Sequence, residues 1–292
     1  MTRGLPLSYL YVPADAGRRL TLADTRGADA VIADLEDAVA PGRRAQARQE
    51  ARAWLSRSTG TRVERWVRIN SGPDGLEDLA EVFGPGLSGV CIPKVTCPND
   101  VQQVTRLLTE LETAHRRSDD PVPVMPLVES GAGLIALPGI ARAPRVQRLQ
   151  LGELDLAADL GMEPGPDETE LLAARTAVVT ASAAARLLPP VGAVRADLAD
   201  HDALDQSTRR LRRLGFLGRA AIHPAQLPVI HAVFDVTPEQ VHVARSLVSA
   251  YDQALAAGQG VLRDEHGRMV DEAVVRRSRH IISLAAQRKA HA

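Results

Sequence analysis

Cysteine is nearly missing from this sequence: 292 residues carry two, Cys91 and Cys97. That excludes a disulfide framework and a cysteine metal cluster, and it fits a reducing cytoplasm. No stretch approaches the roughly 18 apolar residues of a spanning helix. The N-terminal MTRGLPLSYLYVP lacks the apolar run of a secretion signal, so a soluble intracellular protein without a membrane role is expected. No sign of charge dominates either. With 35 Lys+Arg against 36 Asp+Glu, the net charge is -1 and gives no support to nucleic-acid or anionic-membrane binding. The glycine patterns of nucleotide sites are absent: no GxGxxG follows the first apolar run, and no GxxxxGK[ST] occurs. Nor does any tract look like an interdomain linker.

What is present is alternation. Short runs rich in apolar and β-branched residues fall at 8–13, 30–33, 65–70, 89–94, 122–129, 148–152, 192–197 and 219–223. Helical patterns separate them, among them 14–27, 43–58, 100–116, 131–142 with Pro138 as a break, 168–187 and 201–214. Eight strand-and-helix units predict a (β/α)₈ TIM barrel over residues 1–230, with a doubly wound sheet as the rival. Residues 231–292 predict a C-terminal helical extension. A capped helix begins at Thr237-Pro238, 262–271 is polar and turn-like, and a last helix covers 272–287. The extension would clad its own barrel or cap a neighbouring one.

The chemistry is sought at the strand ends. In order these carry Asp34, Glu36 and Asp37, then Arg68 and Asn70, Lys94, Glu129, Asp155, Asp197 or Asp200, and His223. VPVMPLVESGAG (122–133) and VQRLQLGELDL (146–156) each run from a buried strand into a carboxylate, Glu129 and Asp155. Such a carboxylate is costly unless paired. Two of them read as a pair sharing Mg²⁺, with water and substrate oxygens completing the octahedron. The competing reading makes one a helix cap or a structural ion-pair member. Arg68 either clamps a carboxylate or enolate oxygen, or pairs with the neighbouring acids. Lys94 either anchors carboxylates or, as a neutral amine, forms a Schiff base. His223 precedes Pro224 and supports the loop or touches a ligand. The amides of Gly131-Ala132-Gly133 could approach an anion. Glu153 is an outer neighbour of the site, and the remaining histidines, His115, His201 and His231 among them, read as helix-surface residues.

The motifs YVPAD (11–15), GADAVIADLEDAV (27–39), VRIN (67–70), IPKV (92–95), LVESGAG (127–133), GELDLAADLG (152–161), GFLGRAAIHPAQ (215–226) and GRMVDEAV (267–274) carry a resemblance. Together they resemble the citrate lyase β-subunit-like branch of the HpcH/HpaI aldolase superfamily, which includes malyl-CoA and citramalyl-CoA lyases. The resemblance runs from Tyr9 to about Ile282. It implies a closed barrel, a homotrimer or hexamer, and Mg²⁺ on Glu129 and Asp155. It places the arginine that holds substrate carbonyl and thioester enolate on Arg68, the acidic motif on Asp34, Glu36 and Asp37, and the motif lysine on Lys94. Tyr11, Arg219, His223 and Pro224 fall in the segments expected around the acyl-CoA, and Asp271 is the aspartate that reaches a neighbour's site.

The implied reaction is reversible cleavage of a 3-hydroxy-3-carboxyacyl-CoA to acetyl-CoA and glyoxylate or pyruvate, with Asp37 relaying the hydroxyl proton. Departures from the family pattern are Gly17 for a proline, Leu22 for a lysine near the CoA phosphates, Arg219 for a lysine, and Glu153 moved by one position. Three alternatives remain at this stage. The first is an aldolase on free 2-keto-4-hydroxy acids. The second is lyase action followed by thioester hydrolysis through Asp271 in trans. The third is a non-catalytic assembly or carrier-binding subunit.

Overall fold

A computed structural model describes residues 5–57, 62–117, 121–264 and 266–291. Residues 1–4 of the stretch lacking a secretion signal, Ser58 at the end of the second expected helix, and Glu265 in the polar turn lie outside them. The chain divides into two compact units: Pro6–Phe234, and a smaller one formed chiefly by Asp235–Ala292.

The larger unit alternates strand and helix. It runs β1 (Ser8–Pro13), α1 (Gly17–Ala23), β2 (Ala30–Asp34), α2 (Arg44–Ser56), β3 (Glu64–Arg68), α3 (Gly72–Val82) and β4 (Gly89–Ile92). It continues with α4 (Pro98–Ala114), β5 (Val124–Val128), α5 (Gly131–Ala141), β6 (Gln150–Leu151), α6 (Glu153–Leu160), α7 (Leu172–Ala184), α8 (His201–Leu214), β7 (Arg219–Ala221) and α9 (Leu227–Phe234). All seven strands pair in parallel in the order β6-β5-β4-β3-β2-β1-β7.

This corrects the expected closed eight-stranded barrel. The sheet is curled but open between β6 and β7. The expected strand 192–197 is not formed, and only single bridges occur there, Gln150 to Val191 and Gly192 to Arg219. The cause is local. Pro189 and Pro190 bring no amide donors into the approach. Farther on, Asp197 turns the chain by accepting the Ala199 and Asp200 amides. Val191 and Gly192 still exchange backbone hydrogen bonds with residues 149–151 and 218–220, and a buried cation spans the opening beside them. Arg148, with no exposed surface, donates to the carbonyls of Pro6, Pro189 and Leu217 and to the Tyr9 hydroxyl.

The strands are near-continuous apolar runs, as parallel strands covered on both faces require. Their concave face packs Tyr9, Ala30, Ile32, Trp66, Cys91, Met125, Leu127 and Val191 into one cluster. Trp66 meets Tyr9 edge to face with ring centroids 5.9 Å apart. It also demands glycine at 89, where a Cβ would come within 2.3 Å of its ring. Two helical expectations shift. Helix α5 runs through Pro138 rather than breaking, ending three residues later at Ala141. The expected 168–187 helix becomes a 3₁₀ turn at Thr169–Leu171 followed by α7, because Glu168 adopts a left-handed backbone, φ 59°.

In the smaller unit α10 (Pro238–Ala256) is capped by Thr237 with Gln240 reciprocating. The polar turn forms a two-residue hairpin, β8 (Leu262–Arg263) with β9 (Met269–Val270), before α11 (Glu272–His291). Tyr251, Val270 and Val275 are its core. Among the described residues no helix is long and apolar enough to cross a membrane.

Removing the Arg148 cation would leave buried carbonyls without donors, each costing about 1–3 kcal/mol. Arg148→Met is therefore expected to lower unfolding stability by roughly 3 kcal/mol. The check is a fall in the urea midpoint at unchanged slope.

Candidate active site at the strand ends

Register brings the charges together. Asp34 at the end of β2 pairs with Arg68 at the end of β3, which pairs with Cys91 on β4. Arg68 donates through Nε to Asp34 Oδ1 at 2.7 Å and through Nη2 to Oδ2 at 2.6 Å. Its Nη1 lies 2.9 Å from Glu36 Oε2, and its Cζ sits 5.2 Å from the centre of the Tyr11 ring. Burial works to lower the Arg68 pKa, but the Asp34 bonds and charge outweigh it, and the guanidinium stays charged.

Lys94 follows β4 with a left-handed backbone, φ 52°. That turn aims its amide at Glu129 Oε1, 2.6 Å away. Its ammonium lies 2.7 Å from Glu36 Oε1 and donates to Asp37 Oδ1 at 3.1 Å. The Glu36 carboxylate pushes its pKa up against the pull of burial, and Asp37 adds to the effect. A Schiff base needs the neutral amine, so the ion pairs set that chemistry aside. The two contacts to Glu36 are close charge pairs whose angles fall outside hydrogen-bond geometry. Burial accordingly raises the Glu36 pKa, while Arg68 and Lys94 pull it back.

Glu129 ends β5 and is 4% exposed. Burial lifts its pKa to about 7; the Lys94 amide opposes this, and the charges of Glu36 and Asp155 reinforce it. Its Oε2 lies against Gly152, where a Cβ would come within 2.6 Å, so only glycine leaves room for the carboxylate. Asp155 is exposed in the first turn of α6 rather than at a strand end, and it lines the same cavity of about 500 Å³. Among the described residues no three His, Cys, Asp or Glu groups converge as a ready-made metal cluster. The protein offers two carboxylates, one buried and short of positive charge. That donor set suits a hard divalent cation which keeps water and ligand oxygens.

Tyr11, Asp37, Arg68, Glu129 and Asp155 line the cavity together, with Glu36 and Lys94 tied to them by the contacts above. Other expected residues stand apart. Arg219 is buried behind the sheet, where Nε donates to the Ala193 carbonyl and Nη1 to Ser207 and Thr208; burial lowers its pKa to about 10. His223 is exposed and its Nδ1 accepts the Ala225 amide, capping the short turn that Pro224 begins. Asp271 belongs to the smaller unit and accepts the Ala273 and Val274 amides at the start of α11. Asp200 caps α8, and Asn70 is held by Asp78 and the Leu35 carbonyl. Glu153, by contrast, lines the cavity as well, its carboxylate held in a two-pronged pair by Arg175.

The Gly131 and Gly133 amides are already taken, by Asp159 and Ser130. His231 is no plain surface residue, since its Nε2 is 2.8 Å from Ser8 Oγ. Sequence reasoning missed Arg19 and Gln150, both on the cavity wall. The available signal for Gln150 was a lone amide inside the apolar run RLQLG.

The family model for HpcH/HpaI aldolase/citrate lyase matches residues 7–224. A (3S)-malyl-CoA thioesterase of Cereibacter sphaeroides is 34% identical over 259 residues, 87% of this chain and 86% of that protein. An L-malyl-CoA/beta-methylmalyl-CoA lyase of the same organism is 34% identical over 282 residues, 88% of this chain and 87% of the relative. Among solved structures, Mycobacterium tuberculosis CitE in complex with magnesium, acetoacetate and coenzyme A is 28% identical. It superposes with a TM-score of 0.77 over 97% of this chain and 98% of that one.

The Glu129 carboxyl carries a measurable sign. Its pKa is raised from 4.5 to about 7, so between those pH values the folded, metal-free protein holds a proton that the unfolded chain has lost. Its contribution to stability is present below pH 4.5 and is lost as pH rises to about 7. Glu129→Gln should therefore raise the melting temperature of metal-free protein at pH 8. The gain should shrink steadily between pH 7 and pH 4.5, as followed by calorimetry in chelator.

Proposed function

The chain belongs to the HpcH/HpaI aldolase/citrate lyase family, and we propose that it is a Mg²⁺-dependent lyase cleaving the carbon–carbon bond of a 3-hydroxy-3-carboxyacyl-CoA of the malyl-CoA or citramalyl-CoA type. The products are acetyl-CoA and a 2-oxo acid, glyoxylate or pyruvate, and the reaction is reversible. The observation that carries this reading is the buried Glu129 carboxylate beside Asp155, across one cavity from a guanidinium locked between acids.

Glu129 and Asp155 would hold the Mg²⁺, which when bound would supply Lewis-acid withdrawal of charge at the hydroxy-acid end of the substrate. Arg68 does the complementary work at the thioester end. Asp34 grips its Nε and Nη2, and Glu36 draws its Nη1, so the guanidinium is fixed before substrate arrives. A fixed cation stabilises the developing enolate oxygen without reorganising during the reaction. Asp37, half of whose side chain is exposed, lies 3.8 Å from Arg68 and takes the hydroxyl proton. Lys94 holds Asp37 and Glu36 with its ammonium and Glu129 with its amide. Leu127, Leu151, Ala193 and Val194 keep water from the enolate.

One observation favours a second reading, an aldolase on free 2-keto-4-hydroxy acids. Leu22, standing where the family resemblance expects a lysine near the CoA phosphates, is 41% exposed on α1. Against it, Arg19 on the same helix lines the cavity. The lyase reading also makes the protein a homotrimer or hexamer in which the 231–292 extension carries Asp271 to a neighbour's site. Light scattering that finds only monomer removes that part.

A coupled assay with (S)-malyl-CoA and (S)-citramalyl-CoA, with Mg²⁺ or chelator, tests the reaction. Metal-dependent acetyl-CoA release, abolished by Glu129→Ala, is the expected result. Turnover of free keto-hydroxy acids but neither thioester transfers the assignment to the aldolase. Arg68→Lys keeps the charge but loses the two-pronged grip of Asp34. It should lower kcat about 10²–10³-fold while Mg²⁺ affinity changes little.

A further inference from the structure

Above the contact of Arg148 with the Tyr9 hydroxyl, the concave face of the sheet carries a second polar level just below the charged rim. There side chains from three strands meet: Tyr11 on β1, Cys91 on β4 and Gln150 on β6. The Tyr11 hydroxyl lies 3.5 Å from Cys91 Sγ and donates to Gln150 Oε1 over 3.0 Å. Burial pushes the Cys91 thiol up to about 12 and raises the Tyr11 phenol as well, so both keep their protons. With Tyr11 donating forward, the thiol S–H is left to donate to the phenol oxygen. The chain therefore runs from Cys91 through Tyr11 to the carbonyl oxygen of Gln150.

That direction orients the amide. Its oxygen is committed to Tyr11, and Nε2 faces the cavity that Gln150 lines. Gln150 is 3% exposed, and among the described residues its Nε2 donates to no protein acceptor. A nearly buried amide with unused donors is costly unless a ligand or water supplies an acceptor.

Its place says which part of a ligand it meets. Gln150 pairs in register with Leu127, two residues before Glu129 on the same face of β5. It thus sits beneath Glu129 and two residues before Gly152, where α6 and Asp155 begin. Nearby Leu127, Leu151, Ala193 and Val194 offer no competing side-chain acceptor.

We infer that Gln150 is a specificity-determining residue whose Nε2 donates a hydrogen bond to an oxygen of the 2-oxo-acid half of the substrate, with Tyr11 as the positioning residue that orients it. The inference rests on the lyase reading and adds the group that recognises the end of the substrate lying against Glu129 and Asp155.

The test is calorimetric binding of pyruvate and, separately, of acetyl-CoA to purified protein saturated with Mg²⁺. Gln150→Met keeps length and volume and removes the donor. It should weaken pyruvate binding ten- to a hundredfold, as loss of a hydrogen bond to a charged group does. Acetyl-CoA affinity should stay within about twofold. Tyr11→Phe leaves the amide in place but free to turn, and should weaken pyruvate binding by a smaller factor.

Equal weakening of both ligands, or unchanged pyruvate affinity, overturns the inference and leaves the lyase reading standing. Wild-type protein that binds acetyl-CoA but no 2-oxo acid overturns both. If Gln150→Met does not fold, Tyr11→Phe decides alone, and unchanged pyruvate affinity in it overturns the inference.

Discussion

An imbalance of charge at the strand ends organises this molecule. Of five carboxylates there, Asp34, Glu36 and Asp37 contact the cations Arg68 and Lys94, while Glu129 and Asp155 contact neither cation's charged group. Asp34 takes most of Arg68, and Glu36 and Asp37 share Lys94. Glu129 receives one backbone amide and no cation among these contacts, and its pKa rises to about 7. A fold that ends a core strand on such a group keeps a place where added positive charge is stabilising. The left-handed turn at Lys94 and the missing side chain at Gly152 both serve that carboxylate, one by delivering an amide and the other by leaving room.

The scaffold supplies the precision. Parallel strands deliver their ends to one level, so residues distant in sequence become neighbours by register alone. The apolar face beneath excludes water and strengthens every interaction at the rim. No full strand stands between β6 and β7; a few backbone bonds through Val191 and Gly192 cross the opening, and Arg148 adds side-chain donors beside them. Stability and site are thus coupled, because β6, which borders the opening, is also the strand that leads into α6 and Asp155.

Much of the site was legible because residue type and position agreed. An acid or arginine at the end of an apolar run has few places to go, and Glu129, Asp34 and Arg68 stand where that argument puts them. Asp155 was legible as a residue but not in its setting, since β6 is two residues long and α6 starts at once. The strand expected at 192–197 failed because apolar content cannot show that pairing, entered through two prolines, is confined to Val191 and Gly192 before the chain turns at Asp197. Arg219 illustrates a second limit: charge marks a residue as notable, while the face it occupies is set by strand parity, and here it points away from the cavity. Gln150 is the converse, an uncharged residue whose lone amide in an apolar run gains meaning only from register.

The central claim is that Glu129 and Asp155 share one divalent cation. The most direct measurement is a crystal structure grown with Mn²⁺ in place of Mg²⁺, read by anomalous scattering. The account predicts a single peak within coordination distance of both carboxylates, absent in the Glu129→Gln protein under the same conditions. A peak bound elsewhere in the chain, or none at millimolar Mn²⁺, would contradict it.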